Sequence, residues 1–209
     1  LDGTVTALTG EWGSADSAEW TPEGSAILFA GAPAGTDYGT QNGLWRVNVE
    51  LPGLGKPGSS FVHLTPDLPF QVAGRVQVDM PSTGLRQPRI VCAENDAFVR
   101  VQCGGEVRIY RVKSDGSDAP ALVVGGERFC EVVGVAGDRL LFSGNSLNDP
   151  LNLYTKDLSN GDERQITHLN ADLLAGVALP GVEHLEFAGE DGERVEGWLL
   201  TPPTGSAPF

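Results

Sequence analysis

Leu153-Tyr154-Thr155-Lys156-Asp157-Leu158, Ser159-Asn160-Gly161-Asp162-Glu163 and Arg164-Gln165-Ile166-Thr167 run on without interruption, and their reading decides the fold. Two short β-prone runs flank an Asn-Gly pair. Both residues accept positive φ at little cost, so the stretch predicts a hairpin. A second hairpin follows. Glu183-His184-Leu185-Glu186-Phe187 leads to Gly189-Glu190-Asp191-Gly192-Glu193, and Arg194-Val195-Glu196-Gly197-Trp198-Leu199-Leu200 returns toward Thr201-Pro202-Pro203. The first hairpin reads as the end of a repeat array, the second as the start of another domain.

Upstream, helical periodicity is nearly absent, and short strand-like pieces recur between turn signals. A first unit takes strands at 15–20, 25–30, 44–49 and 60–65, with Thr21-Pro22-Glu23-Gly24 as a turn between the first two. A second takes 89–93, 97–101, 108–113 and 121–124. A third takes 131–135 and 139–142, then the opening hairpin. Trp45, Tyr110 and Tyr154 mark equivalent third-strand positions, 65 and 44 residues apart. The second spacing fits a four-stranded propeller blade of about 40–45 residues. Leu8-Thr9, Leu64-Thr65 and Ile166-Thr167 close successive fourth strands.

The expected fold is all-β. A partial β-propeller spans 1–175, made of one strand of a preceding blade (1–10) and blades at about 11–65, 89–125 and 129–168. A linker and the first hairpin of an otherwise absent α/β-hydrolase domain occupy 176–209. Three blades cannot close a ring that needs about 4–8, so the remaining blades are the first expected partner. Leu1 is expected to lie inside a domain, because strand-like sequence begins at once.

Composition agrees. Gly 28 and Pro 14 make about a fifth of 209 residues, as many short strands and turns require. A net charge of −14 argues against phosphate-backbone binding, which needs clustered Lys and Arg. No apolar run is long enough for a membrane span and no signal-peptide pattern is present. Cys92, Cys103 and Cys130 are odd in number and widely spaced. With Asn95-Asp96 as a two-residue turn, Cys92 faces Val99 and Cys103 falls opposite Pro88, so three free thiols and a reducing cytosol are expected.

Motifs that could carry chemistry fail on context. Gly53-Leu54-Gly55-Lys56-Pro57-Gly58 matches a dinucleotide fingerprint in letters, but Pro57 interrupts it and no βαβ unit surrounds it. Gly144-Asn145-Ser146-Leu147-Asn148 misses the nucleophile elbow at Asn148. His63, His168 and His184 lack partner spacing, and Asp157, Asp162 and Glu163 lack the alternating pattern of a calcium loop. No catalytic residue, metal or cofactor is expected in this chain.

Glu19-Trp20-Thr21-Pro22-Glu23-Gly24-Ser25-Ala26-Ile27-Leu28-Phe29 resembles the W-S-P-D-G repeat of TolB and of prolyl oligopeptidase family propellers, with Thr and Glu for the usual Ser and Asp. The ending separates the two. Asn170-Ala171-Asp172-Leu173-Leu174, then Phe187, Asp191-Gly192, Gly197-Trp198-Leu199 and Pro202-Pro203, is similar to the passage from last blade to hydrolase domain in that family, nearest the acylaminoacyl peptidase branch. The resemblance implies a serine peptidase acting on short or N-acylated peptides, its propeller limiting access and its Ser-Asp-His triad outside this chain. It also implies a hydrolase-domain partner, short peptide substrates, a cytoplasmic site and a homo-oligomer. Arg89 and Arg100 are the candidate gating residues, since guanidinium binds a peptide carboxylate bidentately, with an inter-blade salt bridge or a solvated surface position as the competing and favoured role, and the 66–88 connection is a candidate for gating or oligomer contact. The alternative is a non-enzymatic TolB-like binding module, which leaves residues 183–203 unexplained.

Overall fold

In a computed structural model of the chain, residues 3, 5, 7–9, 12–36, 40–49, 61–74 and 90–205 are described. The first sheet is a meander of β1 (Ser14–Trp20), β2 (Ala26–Ala32), β3 (Gly43–Asn48) and β4 (Phe61–His63), each pairing antiparallel with the next. The turn after Trp20 is closed by Thr21. Its N–H and Oγ1 both donate to the Ala26 carbonyl, and its Oγ1 accepts the Ala26 N–H. Gly24, at φ 71, donates back to the Thr21 carbonyl. Only a hydroxyl is needed, so threonine serves where serine is usual.

The second unit is β6 (Ile90–Ala93), β7 (Asp96–Cys103), β8 (Glu106–Lys113) and β9 (Ala121–Val124), with β5 (Gln71–Val72) on the far end of β7. The third is β10 (Phe129–Ala136), β11 (Arg139–Asn145), β12 (Asn152–Asp157) and β13 (Glu163–Gln165). A short helix, α1 (Ala171–Leu174), precedes the separate hairpin β14 (Gly181–Ala188) and β15 (Arg194–Thr201).

The units stack face to face. Alternate side chains of β7 point opposite ways, as the pleat requires. Ala97, Val99, Val101 and Cys103 pack against Leu28, Ala30, Leu44 and Leu64 of the first unit. Phe98 packs with Ile109, Cys130, Leu140 and Phe142, toward the third. The middle unit is thus covered on both faces. The first strands β1, β6 and β10 lie side by side, the inner edge expected of propeller blades. On the outer face of the first sheet, Trp12 covers Phe61 at 4.3 Å and Trp45 at 4.8 Å.

One turn differs from the sequence reading. The β6–β7 turn is Glu94-Asn95, not Asn95-Asp96. Ala93 faces Asp96 and Cys92 faces Ala97. Asp96 is held in the strand by Lys113 directly opposite, at 2.8 Å, and Glu94 takes φ 52 instead. All three cysteines are nonetheless free. The 158–161 loop of the opening hairpin is organised by Asp157, whose Oδ1 accepts from Ser159 N–H, Ser159 Oγ and Asn160 N–H. Gly161, at φ 83, returns its N–H to the Asp157 carbonyl.

The recurring Leu-Thr pair has a structural cause. In the first unit Leu64 N–H donates to Leu44 O, and Leu44 N–H donates to Thr65 Oγ1 at 2.9 Å. In the third, Ile166 N–H donates to Leu153 O, and Leu153 N–H donates to Thr167 Oγ1 at 2.8 Å. The hydroxyl finishes the ladder where the fourth strand ends. Thr65→Val strands one backbone N–H and is expected to cost about 1–2 kcal/mol in urea unfolding; Thr167→Val also removes the hydroxyl that donates to Asn152 Oδ1 and is expected to cost more, with serine recovering most of the loss in both.

Candidate functional site

The candidates divide by position. Arg89 and the 53–58 glycine loop lie outside the described residues, as do 75–88 of the long connection; its beginning is β5, an edge strand on β7. Arg100 is on β7, 5% exposed, its guanidinium paired with Glu131 of β10 and donating to the Ala73 carbonyl at 3.3 Å. It therefore joins the second unit to the third. The Asp157 carboxylate, committed to its own loop and to Arg139 at 3.2 Å, sits below the usual carboxylate range because of the Ser159 hydrogen bonds first.

His168 is exposed beside Gln165. His63 stacks on Trp45 at 4.0 Å, with its Nε2 buried and unpartnered. Burial holds its pKa below the usual 6.5, against the opposing pull of Asp67. The folded pKa is thus below the unfolded one. The stability this neutral ring contributes is complete above about 6.5 and is lost as pH falls through the folded value. Urea midpoints are expected to fall on acidification below that point, and His63→Phe is expected to flatten that part of the profile.

Two features that sequence reading missed determine how the last hairpin is placed. The first is Asn152, 1% exposed. Its Oδ1 accepts from Thr167 Oγ1 at 3.1 Å and Leu169 N–H at 3.0 Å, while its Nδ2 donates to Asp149 Oδ1 at 2.8 Å. Asp149 Oδ2 accepts the Tyr154 hydroxyl at 3.1 Å. Asn170 Nδ2 donates to Pro150 O and Asn148 Nδ2 to Pro180 O, so the chain leaving the third unit is tied to the 145–152 loop. Asn148, the residue at which the nucleophile motif fails, works here as a backbone anchor.

The second is the contact between the β7–β8 turn and β15. Glu196 Oε2 accepts the Gly105 N–H at 3.0 Å, and the Trp198 ring fills the space where a Cβ at Gly105 would lie. A cleft of about 420 Å³ opens beside it, lined by Gly104, Gly105, Arg194, Glu196 and Trp198. Donor atoms of His184, Glu186 and Glu196 come within 4.8 Å of one another, a spacing that could hold a metal. Here, however, Arg194 bridges both carboxylates and His184 stacks on Trp198 at 5.1 Å, which makes the group an internal ion-pair cluster. Only the paired glycines at 104–105 signalled this contact in the sequence, and they signalled it only as a turn.

No described helix is long and apolar enough to cross a membrane. No protein-family profile and no curated protein matches the sequence. Solved structures do. Pyrococcus horikoshii acylaminoacyl peptidase aligns at TM-score 0.61 and 17% identity, over 87% of this chain and 24% of its own. Porphyromonas gingivalis dipeptidyl peptidase 4 aligns at 0.54 and 9% identity, over 89% and 23%. The propeller domain of the trilobed protease from Pyrococcus furiosus aligns at 0.50 and 14% identity, over 78% and 41%. The chain spans about a quarter of the first of these. Together with the stacked four-strand units, the likeness establishes the fold: this chain is a run of β-propeller blades.

Proposed function

We propose that the chain is a propeller portion of a serine peptidase that hydrolyses short or N-acylated peptides, its blades limiting access to an active site carried elsewhere in the enzyme. The observation that carries this reading is the order of parts. Stacked propeller units lead through a tied-down linker into a separate hairpin, in a chain that aligns over 87% of its length with an acylaminoacyl peptidase. The domain limits given above, the hydrolase half as partner, a homo-oligomer and a cytoplasmic site belong to the same proposal. The three free thiols favour a reducing compartment. Arg89 stays in it as a candidate for the peptide carboxylate. Arg100 acts on access through Glu131 and Ala73, by setting how two blades meet at the inner edge.

The test is an assay of the full-length enzyme on acetyl-aminoacyl, dipeptidyl and prolyl chromogenic substrates beside unfolded casein. Hydrolysis of the short acylated substrate with casein left intact is expected. No hydrolysis of any of them overturns the reading, and rapid casein digestion overturns the access role.

A further inference from the structure

The register of the terminal hairpin sets three metal-ligating groups on one face. His184 and Glu186 are two residues apart on β14, so their side chains leave the same side of the strand. Glu196 lies directly opposite Glu186 on β15. One donor atom from each of the three comes within 4.8 Å of the others. The ladder itself fixes this spacing, with no loop involved.

Two observations set the group apart from an ordinary charged surface. Carboxylates directly opposite each other on a sheet destabilise it unless a cation compensates them. Independently, His184 Nε2 is buried and has no hydrogen-bond partner, so a nitrogen beside the carboxylates is left without a ligand of its own. The cation on the two carboxylates is the Arg194 guanidinium, which answers their charge but not the imidazole. Arg194 is 62% exposed, so it can give up the carboxylates to water at small cost. The Gly105 N–H uses one lone pair of Glu196 Oε2, and each carboxylate has others to offer. The cleft of about 420 Å³ at Glu196 gives an ion a way in.

We propose that His184, Glu186 and Glu196 bind a zinc ion, which takes the place of Arg194 on the two carboxylates. Imidazole nitrogen with carboxylate oxygen is a donor set that suits zinc, whereas calcium and magnesium take oxygen alone. Three protein ligands leave the fourth position of a tetrahedral ion to water. Glu196 is then both a ligand and the acceptor of the Gly105 N–H, so the ion braces the hairpin where it meets the β7–β8 turn. The site belongs to this chain and does not rest on the function proposed above.

The experiment is isothermal titration calorimetry of the full-length protein, stripped with EDTA, against zinc chloride. Magnesium chloride is the control for the net charge of −14. One zinc ion per chain at micromolar affinity is expected, with no comparable magnesium binding. His184→Gln and Glu186→Gln each remove a ligand and are expected to weaken zinc by at least the about 10–100-fold that loss of an outer-shell partner costs. Arg194→Gln removes the competitor and is expected to tighten zinc severalfold. Failure to bind zinc overturns the site, as does zinc affinity unchanged in His184→Gln and Glu186→Gln, which marks an ion held elsewhere on an acidic surface. Equal binding of magnesium overturns it too, since charge alone then suffices. Unchanged or weaker zinc binding in Arg194→Gln overturns the exchange of guanidinium for metal. If His184→Gln does not fold, Glu186→Gln decides alone, because that carboxylate is 48% exposed and its loss leaves the core intact.

Discussion

Asn152→Leu is expected to lower stability by about 3 kcal/mol, a fall of about 6–12 °C in Tm for a chain of this size. Leucine has the same branched shape, though it is bulkier, and bonds to nothing. A neutral hydrogen bond contributes about 0.5–1.5 kcal/mol and one to a charged group about 1.5–3. Asn152 makes two of the first kind, to Thr167 and Leu169, and one of the second, to Asp149. Leu169 is 63% exposed, so its N–H regains water, and the sum stays near 3 instead of reaching its upper bound. Asn152→Asp separates shape from chemistry. It keeps the acceptor and sets a second carboxylate at hydrogen-bond distance from Asp149. Like charges raise the pKa of the pair, so the folded value lies above the unfolded one, about 3.9. The Asp variant is therefore worst near neutral pH and recovers toward wild type on acidification, whereas the Leu deficit stays nearly constant. Urea unfolding of all three proteins near neutrality and near pH 5 reads both effects. A Leu variant within about 0.5 kcal/mol of wild type would show that the hub stabilises nothing.

The sequence showed strands well and their sideways neighbours poorly, for a physical reason. Alternation and turn chemistry are local, so the order of units, the third-strand aromatics and the closing Leu-Thr pairs could all be read from spacing. Tyr154 does lie opposite Phe142, and Trp45 opposite Phe29. The misplaced turn at 94–95 shows where locality stops. Asn95-Asp96 is the better turn by preference, but Asp96 is claimed by Lys113, a residue on the next strand that local preference does not see. The same holds for Asn152 and Gly105. An Asn inside a strand and a Gly-Gly turn are unremarkable until Thr167 and Leu169, or Glu196 and Trp198, arrive from 15–17 and 91–93 residues away. Site chemistry in a propeller is assembled across units, and a reading made one unit at a time recovers the scaffold before the site.

Arg100 carries the other large effect. Breaking a fully buried ion pair by removing one partner costs about 3–5 kcal/mol, because the other charge is left without compensation. The Arg100 guanidinium is 6% exposed and the Glu131 carboxylate 21%, so water screens part of the loss, and Arg100→Met is expected to cost about 2–3 kcal/mol. Arg100→Met with Glu131→Leu removes both charges and leaves apolar volume between two apolar units. The double variant should be more stable than the single one, with a coupling of about 1–2 kcal/mol in the cycle. The sign discriminates between roles. A side chain that touches peptide would change KM, leave the urea midpoint unmoved and give no coupling to Glu131. A side chain that joins blades lowers the midpoint, because β7 and β10 belong to successive units whose stability includes the interface between them. In the peptidase proposed above, such a side chain would alter KM only through the way those units meet. Unchanged stability in Arg100→Met, or a double variant no better than the single, would return Arg100 to the list of residues that meet the substrate directly.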